Sequence, residues 1–423
     1  MSELTIEQAA EKAHVSTATI RNWIKTGYLI QIGKGLVTQK SFDDFMSNIA
    51  GKEKLNSRAN KLLKDGHDHD KLSNKIRSLA QNYTGDQIGA EYENALSDSY
   101  RNKEGIYYTP SWIVRDMLSG IEIKPGSTFL DPCCGSGNFI IEAIKAGIAP
   151  ENVYGFDVDE NAVFITKERI RKEFGVESNN IKVGDFLQET LKINEKGKSF
   201  DLIFTNPPWG KKLGKSDKGK YAAAYGCGSS LDTTSLFMGA CLTILKDDGI
   251  LGFLIQEAFF NITTFEDIRT KALEKELLRL VDYGKAFKGL VTRAQAIIIK
   301  NSKPNIDANI QCVYENATYQ RTLTSFQNNP KRILNFWSDE NDSQVIERLY
   351  STKHTTLFGK AKWALGIVTG NNERFCSSTP LNGYIPVYKG SDITKSGIKE
   401  PTLFIPADFS SFQQVAPLKM YRA

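Results

Sequence analysis

The sequence predicts an α/β protein organised around a doubly wound parallel sheet. Between about residues 105 and 300, strand-like apolar runs alternate with helical patterns. In the stretch STFLDPCCGSGNFIIEAIKAG, at 127–147, an apolar strand leads into a glycine-rich turn and then into a helix that starts near Asn138. Three successive strands of this region close on an acidic residue, so we expect carboxylates at one edge of the sheet.

The bulk composition restricts the class of protein. A chain of 423 residues is long enough for two to four domains, and 40% hydrophobic and 24% charged residues are typical of a soluble globular protein. The net charge of +5 permits a nucleic-acid partner without requiring one. The absence of a signal peptide and of a long apolar run predicts no membrane association. Six scattered cysteines predict a reducing cytoplasm and neither disulfides nor a zinc site, and the stretch GHDHD at 66–70 predicts a solvated turn, so no metal is expected.

Changes in composition predict five segments. In chain order they are a small helical domain (1–50), a helical connector (51–104), the sheet domain (105–300), a polar connector (301–360) and the beginning of a further domain with short β-like runs (361–423).

The N-terminal stretch, at 4–29, predicts two short helices joined by a tight turn, with Ser16 as N-cap of the second helix. It resembles a helix-turn-helix of the MerR or excisionase type, whose second helix enters the major groove of DNA. The resemblance implies that Arg21, on the exposed face of that helix, contacts DNA. A small helical packing module without DNA contact is the alternative.

The strand ends and the glycine-rich turn predict a pocket for a nucleoside. Gly135 and Gly137 allow close approach of the backbone to a ligand at the helix N-terminus. Asp157 ends the second strand 20 residues after Gly137, the usual separation for a carboxylate that binds ribose hydroxyls. The third strand ends in Asp185 and Phe186. Helix capping by these acidic residues is the alternative.

The residue before the turn indicates which nucleoside fits. Asp131 would repel a pyrophosphate but suits a ligand that carries a positive amino group. S-adenosylmethionine has such an ammonium group and also a sulfonium.

The stretch TNPPWG, at 205–210, directly follows the apolar run 200–204. Two consecutive prolines end a strand and make a stiff corner, and Pro207 holds Asn206 extended. The amide of Asn206 and the neighbouring carbonyls therefore point beyond the strand end, where ligands bind in α/β sheets. A proline-rich turn with a surface Trp209 is the alternative.

These motifs together resemble a known family. YYTP at 107–110, DPCCGSGNF, GFDVD, GDFL and NPPW, in this order, resemble the gamma-class N6-adenine DNA methyltransferases, including those of restriction–modification systems. The resemblance covers about 105–300 and implies a Rossmann-like, S-adenosylmethionine-dependent methyltransferase sheet. The implied cofactor contacts are Thr109 to the methionine carboxylate, Asp131, Gly135 and Gly137 along the methionine half, Asp157 to the ribose, and Asp185 and Phe186 to the adenine ring.

The resemblance also gives the NPPW corner a chemical role. The exocyclic nitrogen of adenine is a poor nucleophile because its lone pair is delocalised into the ring. The Asn206 side-chain oxygen and the Pro207 carbonyl would accept its two hydrogens and free the lone pair for in-line attack on the sulfonium methyl. Trp209 would stack on an adenine flipped out of the duplex. Phe287 is the predicted ring on the other face, with a place in the core as the alternative.

Two further segments predict contacts with DNA. The glycine- and lysine-rich stretch at 210–230 predicts a loop that neutralises phosphates, unless it is only a solvated loop. Its lysines are Lys211, Lys212, Lys215, Lys218 and Lys220. Residues 363–375 and 385–393 resemble the opening of a target-recognition domain, and because the resemblance stops early we expect a shortened domain.

The sequence therefore predicts a site-specific DNA adenine-N6 methyltransferase of a restriction–modification system. Its expected partners are double-stranded DNA and a cognate restriction endonuclease. Two alternatives stay open, namely a protein-glutamine or RNA-adenine methyltransferase with the same chemistry, and a DNA-binding regulatory or specificity subunit with a vestigial fold. The YYTP segment favours DNA, and the intact Asn206, Asp157 and Asp185 argue against a vestigial fold.

Overall fold

The computed structural model divides the chain into two compact units, one formed by residues 1–67 and 355–423 and the other by 68–354. It describes residues 3–25, 28–33, 35–48, 77–78, 83–95, 107–210, 213–287, 292–306, 308–315, 317–363 and 366–415. The GHDHD stretch lies outside these residues. Within them, no helix is long and apolar enough to cross a membrane.

The N-terminal part of the first unit is a small α/β module. Its elements are β1 (Glu3–Thr5), α1 (Ile6–Lys12), α2 (Thr17–Lys25), β2 (Gln31–Gly33), β3 (Leu36–Thr38) and α3 (Gln39–Asn48). Thr5 and Gln8 form a reciprocal capping box at the start of α1, and the Ser16 hydroxyl accepts the Thr19 N–H at the start of α2. Ile20 and Trp23 of α2 are fully buried in the module. The antiparallel sheet, in the order β1-β3-β2, was not predicted because each strand has only three residues.

The second unit is built around nine strands. They are β4 (Phe129–Asp131), β5 (Val153–Asp157), β6 (Ile181–Val183), β7 (Phe200–Thr205), β8 (Leu245–Gln256), β9 (Glu276–Asp282), β10 (Ala294–Lys300), β11 (Asn309–Tyr314) and β12 (Ala317–Thr322). The accompanying helices are α4 (Gly85–Ala95), α5 (Ser111–Leu118), α6 (Asn138–Lys145), α7 (Glu160–Phe174), α8 (Phe186–Glu195), α9 (Lys215–Tyr225), α10 (Thr233–Thr243), α11 (Ala258–Asn261), α12 (Glu266–Leu273), α13 (Leu323–Gln327) and α14 (Glu340–Ser351).

The strand order places a crevice beside β4. The order is β12-β11-β9-β10-β8-β7-β4-β5-β6; β10 is antiparallel to both neighbours, β12 is antiparallel to β11, and the other pairs are parallel. The chain runs outward from β4 through β5 to β6 and then returns to β7, on the other side of β4. Ligands of open α/β sheets bind at the carboxyl ends of the strands where the order reverses in this way. The predicted doubly wound sheet is confirmed.

The central strands have the composition expected for a sheet covered on both faces. In β7, Phe200, Leu202, Ile203 and Phe204 are at most 3% exposed. A near-continuous apolar run of this kind is typical of parallel strands between two layers of helices. The polar end of the sheet, β12, alternates between half-buried and exposed residues, as an edge strand does.

The structure draws the boundaries of the sheet domain more widely than the sequence did. Residues 301–360, predicted as a connector, include β11, which lies beside β9, and β12, whose polar alternation reflects its position at the edge of the sheet. Within 51–104, the other predicted connector, α4 packs on α7 through Ile88 and Tyr92. α4, β11 and β12 therefore belong to the unit that carries the crevice.

The C-terminal part of the first unit contains short elements. They are α15 (Asn372–Phe375), β13 (Tyr384–Val387), β14 (Ile393–Thr394), β15 (Gly397–Ile398) and β16 (Leu403–Pro406). β13 pairs with β16 and β14 pairs with β15, both antiparallel. Phe375, Ile405 and Phe412 form a small buried cluster. The predicted β-like runs are thus present, and their role in target recognition stays a prediction.

Candidate active site

A cleft lies at the carboxyl edge of the sheet, at the crevice between the β4 and β7 sides. It contains about 900 Å³ of space, part of it open to solvent. Six of the predicted site residues line it, namely Thr109, Gly135, Asp157, Asp185, Phe186 and Asn206. The sequence positions of these residues span almost 100 positions, and the topology brings them to one place.

The glycine-rich turn has two positions where only glycine fits. Gly135 has φ +51°, and a Cβ there would lie 2.9 Å from the Tyr108 ring. Gly137, the N-cap of α6, has φ +89°, and its Cβ would lie 2.8 Å from the Thr166 hydroxyl. Both side chains would be strained by their backbone and would collide with a neighbour. The turn therefore keeps a conformation that opens the start of α6 toward the cleft.

A buried arginine holds this turn from outside. Arg169, on α7 and only 3% exposed, donates to the Ser136 carbonyl at 2.6 Å, to Asn138 Oδ1 at 2.7 Å and to Asp86 at 2.8 Å. Glu93, on α4, accepts the Ser136 hydroxyl at 2.6 Å. Sequence reasoning missed this network because its members are 30 to 80 positions apart. An arginine among the apolar residues of a helix was the only available signal.

Two carboxylates at the strand ends bind backbone groups. Asp157 accepts the Gly135 N–H at 2.9 Å and the Asp159 N–H at 2.9 Å. Asp185 accepts the Leu187 N–H at 2.9 Å and caps α8. Helix capping was the alternative role for these acidic residues. Asp185 does cap a helix, and it also lines the cleft.

The apolar lining of the cleft includes Val158, which the sequence analysis did not identify, and Phe186, which it predicted. Val158, directly after β5, is 55% exposed although it is aliphatic. Phe186 is 2% exposed and its ring packs against Phe156 and Phe237. The ring of Phe186 therefore supports the wall of the cleft from the core. Val158 offers an exposed apolar surface to the cleft, which Asp157 and Asp185 also line.

Asp131 lies beneath the cleft and is not part of its lining. The side chain is 1% exposed, and its Oδ1 accepts the Thr205 hydroxyl at 2.8 Å and the Cys133 N–H at 3.1 Å. Its Oδ2 has no hydrogen-bond partner among the described residues. Burial raises the pKa of Asp131 from its usual value to about 7, although the bonds from Thr205 and Cys133 oppose this rise. Its predicted contact with the methionine half stays a prediction.

We expect the stability of the protein without ligand to fall as the pH rises toward 7. Because the folded pKa of Asp131 exceeds the unfolded one, the unfolded state ionises first, and each pH unit between about 4 and 7 favours unfolding. Asp131→Asn cannot ionise, so its stability relative to wild type should increase over this range, by on the order of 2–4 kcal/mol, and then level off. Urea unfolding at pH 5, 6, 7 and 8 measures this.

Asp201→Asn is the matched control for this measurement. Partial burial raises the pKa of Asp201, but Lys246 and Thr128 outweigh it and lower the pKa below its usual value. Asp201→Asn should therefore lose stability at neutral pH. If Asp131→Asn lost stability relative to wild type between pH 5 and pH 7, that result would contradict the raised pKa of Asp131.

The cysteines of the turn are not activated nucleophiles. Burial raises the pKa of Cys133 and of Cys134 well above the usual value, and the nearby carboxylates Asp131 and Asp157 raise it further. Both thiols are therefore neutral near pH 7, and a covalent protein intermediate through them is disfavoured. Among the described residues, no group of three His, Cys, Asp or Glu side chains could hold a metal ion.

Asn206 has a defined orientation at the end of β7. Its Nδ2 donates to the Tyr107 carbonyl at 2.7 Å. Because a carbonyl only accepts, this contact decides which end of the amide is nitrogen. The Oδ1 atom is buried and has no partner among the described residues. The NPPW corner thus presents a hydrogen-bond acceptor whose position is fixed by the YYTP segment.

The rings predicted to hold the target base pack on one another. Trp209 and Phe287 are 8% and 7% exposed, and their ring centroids lie 5.3 Å apart at an interplanar angle of 84°. Tyr107 contacts both, with centroids 5.7 Å from Trp209 and 5.8 Å from Phe287. We call Tyr107, Trp209 and Phe287 the aromatic triad. The structure brings the two predicted rings together, but a base can enter between them only after they separate.

The predicted lysine-rich loop is in part a helix. Residues 215–225 form α9, on which Lys220 is exposed and Lys218 is half-buried. Lys211 and Lys212 lie outside the described residues, as does the side chain of Lys215. The predicted phosphate contacts stay a prediction.

Known proteins match this chain over the unit that carries the cleft and beyond it. A sequence model of the family described as N-6 DNA Methylase matches residues 83–356. Type II methyltransferase M.VspI of Vibrio sp. (strain 343) is 46% identical over 397 residues, which cover 93% of this chain and 97% of that relative. The chain belongs to the N-6 DNA methylase family. The match begins at residue 83, so the family region includes α4, as the packing of α4 on α7 indicates.

Further comparisons agree with this membership. Modification methylase CviBIII of Paramecium bursaria Chlorella virus NC1A is 30% identical over 223 residues, 51% of this chain and 55% of that relative. The protein in a cryo-EM structure of a DrdV–DNA complex superposes with a TM-score of 0.50 over 88% of this chain and 45% of its own, and its 15% identity shows the fold alone. This N-6 DNA methylase is thus a DNA adenine methyltransferase of the restriction–modification type, which confirms the predicted function over the two alternatives.

Proposed function

We propose that this N-6 DNA methylase has the gamma-class motif arrangement and methylates N6 of an adenine that is flipped out of double-stranded DNA, at a specific sequence, with S-adenosylmethionine as methyl donor. The observation that carries the proposal is the orientation of Asn206. Its amide nitrogen is engaged by the Tyr107 carbonyl, so its buried oxygen is left to accept a hydrogen bond.

The donor groups of the cleft fit S-adenosylmethionine. Asp157 offers carboxylate oxygens to ribose hydroxyls, and Val158 offers an apolar surface to the adenine ring beside Asp185. Gly135 keeps the turn clear of side chains. The unpartnered Asp131 Oδ2 favours a positively charged group above it. We assign the methionine carboxylate to Thr109 and the start of α6 to the methionine half, where Gly137 is the N-cap. When bound, S-adenosylmethionine supplies an electrophilic methyl group on its sulfonium.

The protein residues prepare the adenine nitrogen for attack. Asn206 Oδ1 and the Pro207 carbonyl each accept one N6 hydrogen, so N6 becomes more tetrahedral and its lone pair is less delocalised into the ring. Pro207 and Pro208 keep these acceptors in place without a loss of chain entropy during the reaction. An amide is not a base at neutral pH, so the surplus proton passes to solvent after the N–C bond has formed. The buried acceptors act in a site of low dielectric constant, where each hydrogen bond is stronger.

Base flipping gives the aromatic triad its role. The target nitrogen cannot reach Asn206 while the adenine is stacked in the duplex. Trp209 stacks on one face of the extruded base and Phe287 on the other, once their edge-to-face contact has opened. The exposed Lys220, together with the lysines at 211, 212, 215 and 218, neutralises the phosphates beside the extruded nucleotide.

The experiment that tests this function is transfer of labelled methyl from S-adenosylmethionine to unmethylated genomic DNA, followed by nucleoside analysis. The expected product is N6-methyladenine. Label in another nucleoside, or in RNA or protein controls but not in DNA, would contradict the proposal. In the restriction–modification setting, a cognate endonuclease that cuts the unmethylated sequence is the expected partner.

The N-terminal module supplies a second contact with DNA. Arg21 is exposed on α2, next to Thr17 at 3.5 Å, on a helix whose other face is buried through Ile20 and Trp23. We expect Arg21→Ala to lower DNA affinity about threefold to thirtyfold, because loss of one cation removes a phosphate or base contact. Fluorescence anisotropy with a duplex measures this. Lys40→Ala removes an exposed cation of the same module from α3, and equal affinities of the two variants would remove the groove contact from the proposal.

A further inference from the structure

The two central strands of the cleft are joined at their carboxyl ends by side chains. The last backbone pair between β4 and β7 is Leu130 with Ile203, one residue before the end of β4 and two before the end of β7. Beyond it, the Thr205 hydroxyl donates to Asp131 Oδ1 at 2.8 Å, and the two residues are 0% and 1% exposed. Asn206 follows Thr205 directly. This bond therefore connects the backbone that leads to the glycine-rich turn with the backbone that carries the acceptor oxygen.

The same pair of strands has a second threonine–aspartate contact at its other end. The Thr128 hydroxyl donates to Asp201 Oδ2 at 2.7 Å, and the Thr128 N–H donates to the same oxygen at 2.8 Å. Lys246 also contacts this carboxylate at 2.8 Å. The amino ends of the strands thus have several links. At the carboxyl ends, beyond the Leu130 pair, Thr205 provides the side-chain link from β7 to Asp131.

We propose that Thr205 is a positioning residue for methyl transfer, which fixes the distance between the cofactor side and the Asn206 side of the cleft. The proposal rests on the proposed function. A hydrogen bond between two fully buried groups has no competition from water, so the hydroxyl restrains the end of β7 strongly. Without it, the end of β7 is held by its pairing with β8 at Thr205 and Phe253 and can shift relative to Asp131, so Asn206 Oδ1 leaves its place relative to the reacting atoms. A displacement of about 1 Å is enough to slow a reaction about 100-fold.

The test compares three variants with wild type in single-turnover methyl transfer. Thr205→Val removes the hydroxyl and keeps the shape, and Thr205→Ser keeps the hydroxyl. Thr128→Val removes the same atom from the same strand pair at the end remote from Asn206. We expect a rate about 10- to 100-fold below wild type for Thr205→Val at saturating cofactor and DNA, and rates within about threefold of wild type for Thr205→Ser and Thr128→Val. The dissociation constants for cofactor and DNA should change less than the rate.

Other results would overturn the proposal. If Thr205→Val and Thr128→Val were equally active, or if Thr205→Ser were as slow as Thr205→Val, the hydroxyl would have no positioning role. Thr205→Ser and Thr205→Ala differ by one oxygen atom, so the ratio of their rates gives the same answer if the valine variant does not fold. Formation of N6-methyladenine by wild type tests the proposed function separately from these ratios.

Discussion

Asn206→Ala is expected to abolish methyl transfer while cofactor affinity stays within about threefold of wild type. Under the proposed function, the substitution removes the buried acceptor for an N6 hydrogen, and loss of one such group typically costs 100- to 1,000-fold in rate. The cofactor contacts assigned to Asp157, Val158 and the glycine-rich turn are untouched. Labelled methyl transfer to DNA gives the rate, and calorimetric titration with S-adenosylmethionine gives the affinity.

Asn180→Ala is the matched control. Asn180 directly precedes β6, and its side-chain amide also donates to a backbone carbonyl, that of Glu151, at 2.8 Å. Its activity should equal that of wild type. Equal losses of binding and turnover in Asn206→Ala would show that Asn206 maintains the cofactor side through Tyr107 and does not act on the base.

Arg169→Met is expected to weaken cofactor binding by at least tenfold and to lower the free energy of unfolding by about 2–5 kcal/mol. The buried guanidinium satisfies the Ser136 carbonyl and Asn138 Oδ1, and methionine leaves both acceptors without a donor. The glycine-rich turn would then lose the contact that fixes its outer side. Urea unfolding and calorimetric titration measure the two effects.

Arg171→Met provides the comparison on the same helix. Arg171 is 45% exposed and pairs with Glu168 at the surface. We therefore expect the free energy of unfolding to change by less than about 0.5 kcal/mol and the cofactor affinity to stay unchanged. A destabilised Arg169→Met with normal affinity would mean that the turn keeps its conformation without the guanidinium.

The sequence predicted the parts of the site that depend on local order along the chain. Each strand end at Asp131, Asp157 and Asn206 could be located because an apolar run, a polar residue and a glycine or proline follow one another directly. The parallel sheet then places such ends along one edge, so the convergence of Asp157 and Asn206 in the cleft, with Asp131 beneath it, followed from topology.

Contacts between distant segments could not be read in the same way. Glu93 has no local pattern that distinguishes it from a surface charge, and Arg169 differs from one only by its position among the apolar residues of α7, although both support the glycine-rich turn. The strand β12 is polar because it lies at the edge of the sheet, and the neighbouring β11 buries only Ile310 and Cys312; such polarity alone predicts a connector. The packing of side chains could not be predicted from the sequence pattern either. The mutual contacts of Tyr107, Trp209 and Phe287 depend on the positions of three separate segments.

The closed aromatic triad has a consequence for how an extruded base is admitted. An edge-to-face ring contact contributes about 0.5–1.5 kcal/mol in addition to the burial of the two rings, which are 8% and 7% exposed, so the closed form of Trp209 and Phe287 is preferred by at least about twofold to tenfold. Under the proposed function, the apparent affinity for the extruded base is lowered by at least this factor. The triad would then select bases by how well they replace a ring contact that the protein makes with itself.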